Sequence, residues 1–596
     1  MKKLFVIGLL AAMFASCYED KGNYDYPKMM TFEVPNMNSS IKNRNAVLGE
    51  PYSAYPVVNF YNWTNPEDTM RVTYHWVRTI SGKGIDTLCE GRVFNWVPDR
   101  AGSAMGISVL VRDTLTGYVH KSDMQLTVTS QIGTGWALLH NYNGTTDMSF
   151  IRPAQQVLQD PNDETVKYNV REFFHYPNYL STNANPGIAF GTNPKKVAWY
   201  ANNSATKLVI IQDNPVTIAG DSWKVEVDMA EEFAGGMPTG GFKDFMSLRM
   251  GRAILGNDGK IYLDQDWTYS GSFFTSRFMN VPLQDMETAE DFDVEEFADM
   301  YEAWFGSVWR AHDTKNKRFL FVATNYYEQT ALYPSLSKSD LTSSQFVDDF
   351  SYNNYVDLAN YDGYNYLFSG QRSGAMGLSP NSSGGANSML AFFFEKDGEV
   401  YLQTMKSTGI IVGTVPGLND YVQIPNWGDI KVVKWSEAIE GVNCDPSTIT
   451  LTKDTPHTFL RGKSQSSSGQ AKMDYVYFAQ GSSVYVLDFE TNRLYEYYRM
   501  PNGANIKLLH MNHHDTELAV YADDNTFRTI KCAPWQLNNS DFDSKLTAPA
   551  ITDVKDVQQI IYLRSNISMF YMPATSGGYN DRIVWTENNE LPDYMK

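Results

Sequence analysis

One pattern recurs along most of the chain: an apolar strand, a turn built on Asp-Gly or Asn, and a second apolar strand containing Tyr. Arg252 to Leu263 turns at Asn257-Asp258-Gly259. Met389 to Leu402 turns at Asp397-Gly398, and Asp474 to Val486 turns at Gln480-Gly481. Looser copies run over Val197 to Ile211, Val308 to Ala323 around Asp313-Thr314-Lys315-Asn316, and Leu518 to Ile530 around Asp523-Asp524-Asn525. Asp-Gly favours a tight hairpin because the turn needs positive φ at its centre. Hairpins repeated in this way predict a β-propeller, in which small sheets stack radially and leave little free edge. The gaps between copies are irregular, so the propeller must carry long inserted loops. Two packed sheets or several smaller β-domains also fit the pattern.

The region before these hairpins reads differently. Val72, Tyr74 and Trp76 share one face of a strand, and Met105, Ile107, Val109 and Val111 share one face of another. Met124, Leu126 and Val128 carry the returning strand after the turn Asp113-Thr114-Leu115-Thr116-Gly117. Period-two alternation with closely spaced turns predicts a β-sandwich over residues 31–130. Ser130 to Gly135 reads as a linker, and residues 131–596 form the larger domain. The expected class is therefore all-β: an Ig-like sandwich followed by a β-propeller-like domain.

The amino terminus predicts export. Met1-Lys2-Lys3 is a basic start, and Leu4 to Phe14 is an apolar run too short to span a bilayer. Ala15-Ser16-Cys17 reads as a lipobox. Residues 1–16 are then a lipoprotein signal peptide, and 17–30 are the lipidated Cys17 with its tether. A lipid holds a chain at a membrane surface without spanning it. The formal net charge is −19 from 49 basic and 68 acidic residues. Loss of Lys2 and Lys3 leaves 47 basic residues and a charge of −21. Nucleic-acid binding needs clustered Lys and Arg, so it is not expected. Cys89, Cys444 and Cys532 are far apart, with no zinc spacing, and allow at most one bridge.

The stretch FNWVPDRAGSAMGISVLVRD resembles the end of a PKD-type immunoglobulin-like domain, with an aromatic strand, a Pro-x-x-Ala-Gly turn and an alternating strand ending in Asp. The leader CYEDKGNYDY resembles that of the PKD-like surface lipoproteins of Bacteroidetes, including the acidic Glu19-Asp20. The central aromatic-Gly-Asp motif common in PKD domains is absent. The resemblance implies an outer-membrane, surface-exposed protein accessory to a SusC/SusD-type nutrient uptake system. Its implied partners are the transporter, its lid lipoprotein, and a glycan or peptide ligand.

No catalytic signature stands out. HExxH, GxSxG and P-loop motifs are missing, and no cofactor, metal or catalytic residue is expected. The nine histidines include one tight cluster, His513-His514-Asp515, which reads as a turn. Asp285 to Tyr301 is strongly acidic and reads as a solvated helix or loop, with Phe292, Phe297 and Met300 as a possible apolar stripe. Tyr352 to Gln371 is the expected ligand surface. Its Tyr352, Tyr355, Tyr361, Tyr364 and Tyr366 lie among Asn and Asp, so aromatic faces for stacking sit beside directional hydrogen-bonding groups. Arg372 is placed to meet an anionic ligand, and Trp267 follows Asp264-Gln265-Asp266 just past a strand. Non-catalytic capture is the leading expectation. A glycoside hydrolase or peptidase with carboxylates in the propeller is the alternative, and a structural subunit of the transporter is the second.

Overall fold

In the computed structural model the chain divides into two compact units, residues 1–131 and 132–596. The structure describes residues 31–563 except 42–43, 62–70, 81–83, 100–101, 160–166, 203–204, 249–250, 266–276, 286–287, 289, 298–300, 304–305, 325–329, 335–336, 373–388, 415–420, 461–473, 513–515 and 534–535. Cys17, Trp267, His513 to Asp515 and the two Ser/Gly-rich loops (379–388 and 462–470) lie outside the described residues.

The first unit is the Ig-like sandwich. One sheet orders its strands Asn45–Val47, Val119–Thr129, Gly102–Asp113, Val72–Ile80 and Gly84–Glu90. The pairs Thr31–Glu33 with Asn59–Tyr61 and Tyr52–Ala54 with Phe94–Trp96 cover its inner face. The alternating residues point where their period demands, and Ile107, Val109, Val111, Met124 and Leu126 are buried. Trp76 is fully buried and stacks on Phe94 at 4.7 Å, while its indole N–H donates to the Gly91 carbonyl at 3.0 Å. Asp113 ends the long strand and organises the turn after it. Its carboxylate accepts from the Leu115 N–H at 3.0 Å, the Thr116 hydroxyl at 2.6 Å and the Arg71 guanidinium.

The second unit is propeller-like. Among the described residues it holds seven successive sheets of three to five strands. Blade 1 is 196–228, blade 2 is 242–265, blade 3 is 294–334, and blade 4 is 365–434. Blade 5 is 457–499 and blade 6 is 506–531. Blade 7 combines both ends of the unit, because Gly135–Tyr142 pairs with Val557–Leu563. The first strands of successive blades neighbour one another in a closed circuit. Radial stacking leaves each blade only a short, protected sheet edge.

Local chemistry builds each blade. Asp397 and Gly398 have φ of 52° and 81°, the left-handed pair a two-residue hairpin needs. At Asn257-Asp258-Gly259 the chain takes a longer turn, in which only Gly259 has positive φ, at 74°. Between blades, apolar faces meet. Tyr477, Val486 and Tyr497 of blade 5 pack with Leu518 and Val520 of blade 6. The irregular repeat spacing comes from long connections at 266–293, 335–364 and 435–456.

The acidic stretch from Asp285 departs from its expected solvated helix or loop. Val294–Phe297 is the first strand of blade 3, with Phe292, Val294 and Phe297 in the core. Asp285 is itself buried and pairs with Arg318 at 3.1 Å. The apolar residues win because each finds a neighbouring sheet, and the buried carboxylate is matched by a cation.

Candidate functional site

Charged side chains gather where the first strands of blades 1 to 5 approach one another. Lys196 opens the first strand of blade 1, and Asp244 lies on that of blade 2. Glu295 and Glu296 lie on that of blade 3, and Tyr366 and Ser369 on that of blade 4. Lys453 precedes that of blade 5, and His312 comes from the second strand of blade 3. Sheet register shifts fall at these positions, between Phe242 and Asp244, between Val294 and Phe297, and between Tyr366 and Phe368. A bulge re-aims a side chain that strict alternation would send to the opposite face, which is why bulges favour functional sites.

Most of these charges are matched. The Asp244 carboxylate pairs with Lys196 and accepts the backbone N–H of Phe245 at 2.6 Å and of Phe297 at 3.0 Å. Glu295 pairs with Lys453 and lies 3.4 Å from His312 Nδ1. These partners, His312 first, hold the Glu295 carboxyl down to about 2, so it is ionised. His312 Nε2 lies 2.6 Å from the Tyr361 hydroxyl, and its ring centre is 4.3 Å from that of Tyr366. Burial pushes the Tyr361 and Tyr366 phenols well above their usual range, so both keep their protons.

Glu296 differs. No cation among the described residues forms an ion pair with it, and the Tyr366 hydroxyl lies 3.5 Å from its Oε1. Desolvation raises its pKa, with Asp244 and Glu295 adding to the rise and His312 and Lys196 opposing it. Yet the residue is exposed to solvent. No signal in the sequence pairs these residues.

The expected tyrosine surface is corrected at several positions. Tyr355, Tyr361 and Tyr366 are buried in one core with Phe319, Phe392 and Phe394. The segment fills the gap between blades 3 and 4, because its tyrosines bury more apolar area there than a solvated loop would. Tyr364 is half-buried against Tyr401, with the Lys396 ammonium 4.9 Å from its ring. Tyr352 remains exposed, under the Lys338 ammonium at 4.6 Å. Arg372 is no free anion site. It is buried on the Phe489 ring at 4.3 Å and held by both carboxylate oxygens of Asp474 from blade 5. Of the expected ligand residues that are described, Tyr361 and Tyr366 are the two that reach the charged cluster.

A second polar group lies in blade 7. His140 Nε2 is 2.9 Å from Ser149 Oγ, and Asp147 is on the neighbouring strand position. All three are buried, Ser149 Oγ accepts the Asn178 N–H, and Asp147 is held by Ser181 and the Met148 N–H. A sealed serine with a committed carboxylate lacks the geometry of a hydrolase triad. Among the described residues no three His, Cys, Asp or Glu side chains converge as metal ligands would. No disulfide joins the described cysteines, of which Cys532 is buried and Cys89 and Cys444 are half-buried. No helix among the described residues is long and apolar enough to cross a membrane.

Comparison with known proteins adds to this picture. Comparison with curated proteins gave no match. Among solved structures, a quinonprotein alcohol dehydrogenase-like protein from Bacteroides thetaiotaomicron is similar at 11% identity, over 89% of this chain and 99% of its own, with a TM-score of 0.34. The dihydro-heme d1 dehydrogenase NirN is similar at 8% identity, over 90% of this chain and 78% of its own, with a TM-score of 0.29. Raptor from Chaetomium thermophilum is similar at 10% identity, over 61% of this chain and 25% of its own, with a TM-score of 0.30. The PKD-like family model matches residues 17–171, which spans the sandwich and runs into blade 7.

Proposed function

We propose that this protein is a lipid-anchored lipoprotein of the bacterial outer-membrane surface. Its propeller captures a glycan or peptide for a SusC/SusD-type uptake system. The PKD-like match over 17–171 fits a surface or extracellular protein, and the lipobox at Cys17 supplies the anchor. One observation carries the capture reading. Glu296 is a solvent-exposed carboxyl that forms no ion pair among the described residues, while the acids beside it are already held by Lys196, Lys453 and backbone N–H groups. A single open carboxyl with committed neighbours suits recognition, whereas a glycosidase needs two working carboxyl groups about 5–10 Å apart.

A carboxylate-based hydrolase is the second reading. It is favoured by the raised pKa of Glu296 beside a Glu295 held near 2, since acid–base pairs have their pKa values pushed apart.

The test uses mature protein purified from outer membranes. Pull-down is expected to recover a transporter barrel and its lid lipoprotein, and array screening to find a glycan or peptide ligand that stays intact on incubation. Cleavage of the ligand would favour the hydrolase. Recovery of neither partner nor ligand would remove the proposal.

A further inference from the structure

The strands of blade 4 are unequal in length. Its third strand, Glu399–Thr414, pairs with the second only as far as Lys406, opposite Met389. From Ser407 onward, among the described residues, it pairs only with the fourth strand, Tyr421–Lys434. These two strands make an arm about 26 Å long, at about 3.3 Å per residue. Register shifts between Thr404 and Lys406 and between Ser407 and Gly409 mark its base, and bulges of this kind bend a strand. The arm leaves the blade at the end opposite Tyr366, which lies in register with Phe394 and Tyr401. Beyond the blade the protection of radial stacking ends. A lone two-stranded hairpin is marginal in water, and its open edges are templates for another strand. Proteins guard such edges with charge or proline. The fourth strand has Pro425, which lacks an N–H to donate. The third strand from Ser407 to Thr414 has neither proline nor charge.

The sequence of that edge selects its partner. Thr408-Gly409-Ile410-Ile411-Val412-Gly413-Thr414 reads almost the same in both directions. We propose that this edge pairs with the same edge of a second copy, antiparallel about a two-fold axis at Ile411. Ile411 then stands opposite its own counterpart, Ile410 opposite Val412, Gly409 opposite Gly413, and Thr408 opposite Thr414. Each unlike pair occurs twice, which is the reciprocity a two-fold interface requires. Pairs of β-branched residues and of threonines stabilise an antiparallel ladder, and no like charges meet across it. Two hairpins become one four-stranded sheet. The formal net charge of −19 sets two copies against each other. The arm keeps the charged bodies about its own length apart, well beyond the screening length of about 8 Å at physiological salt. Blade 7 gives the contrast. Its third and fourth strands, Thr145–Gln159 and Lys167–Tyr176, also run past the second. Pro153 to Gln159 has no such symmetry, and the fourth strand carries Lys167, Arg171 and Glu172. The inference goes beyond the capture reading and does not depend on it.

The experiment is thiol cross-linking and sedimentation of the mature full-length protein in detergent micelles. Ile411→Cys puts one thiol on each side of the axis, within the Cα separation that a disulfide spans. Mild oxidation is expected to join two copies. Thr414→Cys alone is expected to stay unlinked, because its two copies stand about 20 Å apart. Thr408→Cys together with Thr414→Cys in one chain is expected to restore the link. Sedimentation is expected to show a monomer–dimer equilibrium for the natural protein. Ile411→Lys sets two ammonium groups opposite each other and is expected to weaken the dimer by about tenfold or more. Val157→Lys, on the blade 7 arm, is expected to leave the dimer unchanged, and both variants are expected to melt as the natural protein does. A natural protein that stays monomeric up to submillimolar concentration overturns the proposal. So does linking of Thr414→Cys as ready as that of Ile411→Cys, or an Ile411→Lys dimer as tight as the natural one. In whole outer membranes, an Ile411→Cys adduct of any mass other than twice the chain assigns the arm to a different protein and also overturns it.

Discussion

The two units treat charge in opposite ways. The sandwich is apolar at its centre, around Trp76 and Phe94, and its cation–carboxylate pairs tie turns and edges. Arg71 holds Asp113 at one end, and Arg78 holds Asp86 and Asp99 at another. The propeller buries charges both within and between its blades. Arg252 is buried with Glu232 and Asp264, Arg372 with Asp474, and the cluster from Lys196 to Lys453 sits on the innermost strands. A layer of apolar side chains suffices for a sandwich. A ring of sheets has an interior that side chains of several blades must share, and polar groups there either pair or await a ligand.

The largest effect expected is on the apolar unit. Trp76→Ala removes a fully buried indole and should cost about 3–5 kcal/mol. Calorimetry should show a sandwich transition lowered or lost while the propeller transition stays in place. Movement of both transitions together would break the division between the units.

Arg372→Ala probes the opposite design. It leaves Asp474 buried without its cation, and should lower propeller stability by about 3 kcal/mol in urea titration. An anion-binding arginine on the surface would show no such loss, so a silent mutation would restore the ligand role expected from the sequence.

Lys545 sharpens the comparison through pH. Burial, between the Tyr497 and Phe542 rings, lowers its pKa to about 8. The unfolded chain therefore binds more protons than the folded one between about pH 8 and the ordinary lysine value near 10.4. Propeller stability should rise with pH through that window, by up to about 3 kcal/mol, and be lost progressively as pH falls back to 8. Comparing urea midpoints at about pH 8 and about pH 9.5 checks this, and Lys545→Met should flatten the slope. An equal slope in the sandwich transition would contradict it.

The smallest effect concerns a hairpin. Gly398→Ala places a side chain at φ of 81° with nothing nearby to clash, so backbone strain alone should cost about 1 kcal/mol. A loss several times larger would mean that the blade 4 turn has contacts beyond its own strands.

Much of the fold was legible because its causes are local. Asp397-Gly398 and the alternation from Met105 to Val111 act on neighbours a few residues away, and both strands and turns follow. The acidic stretch from Asp285 misled because local charge suggests solvent, while Phe292 and Phe297 meet their partners only in three dimensions. The tyrosine segment misled for the same reason. Its rings match a ligand surface in composition, but Tyr355 and Tyr366 find Phe346, Phe394 and His312 first.

From its amino acids alone this chain is committed to short paired strands, tight left-handed turns and one alternating sandwich, since each depends on residues close in sequence. Only the packing of the blades decided that Lys196, Asp244, Glu296 and Tyr366, drawn from four blades, and Lys453, from the connection before the fifth, would meet, with Glu296 in no ion pair among the described residues. Charge compensation is a property of distance in space, and distance in space is set by how the blades pack.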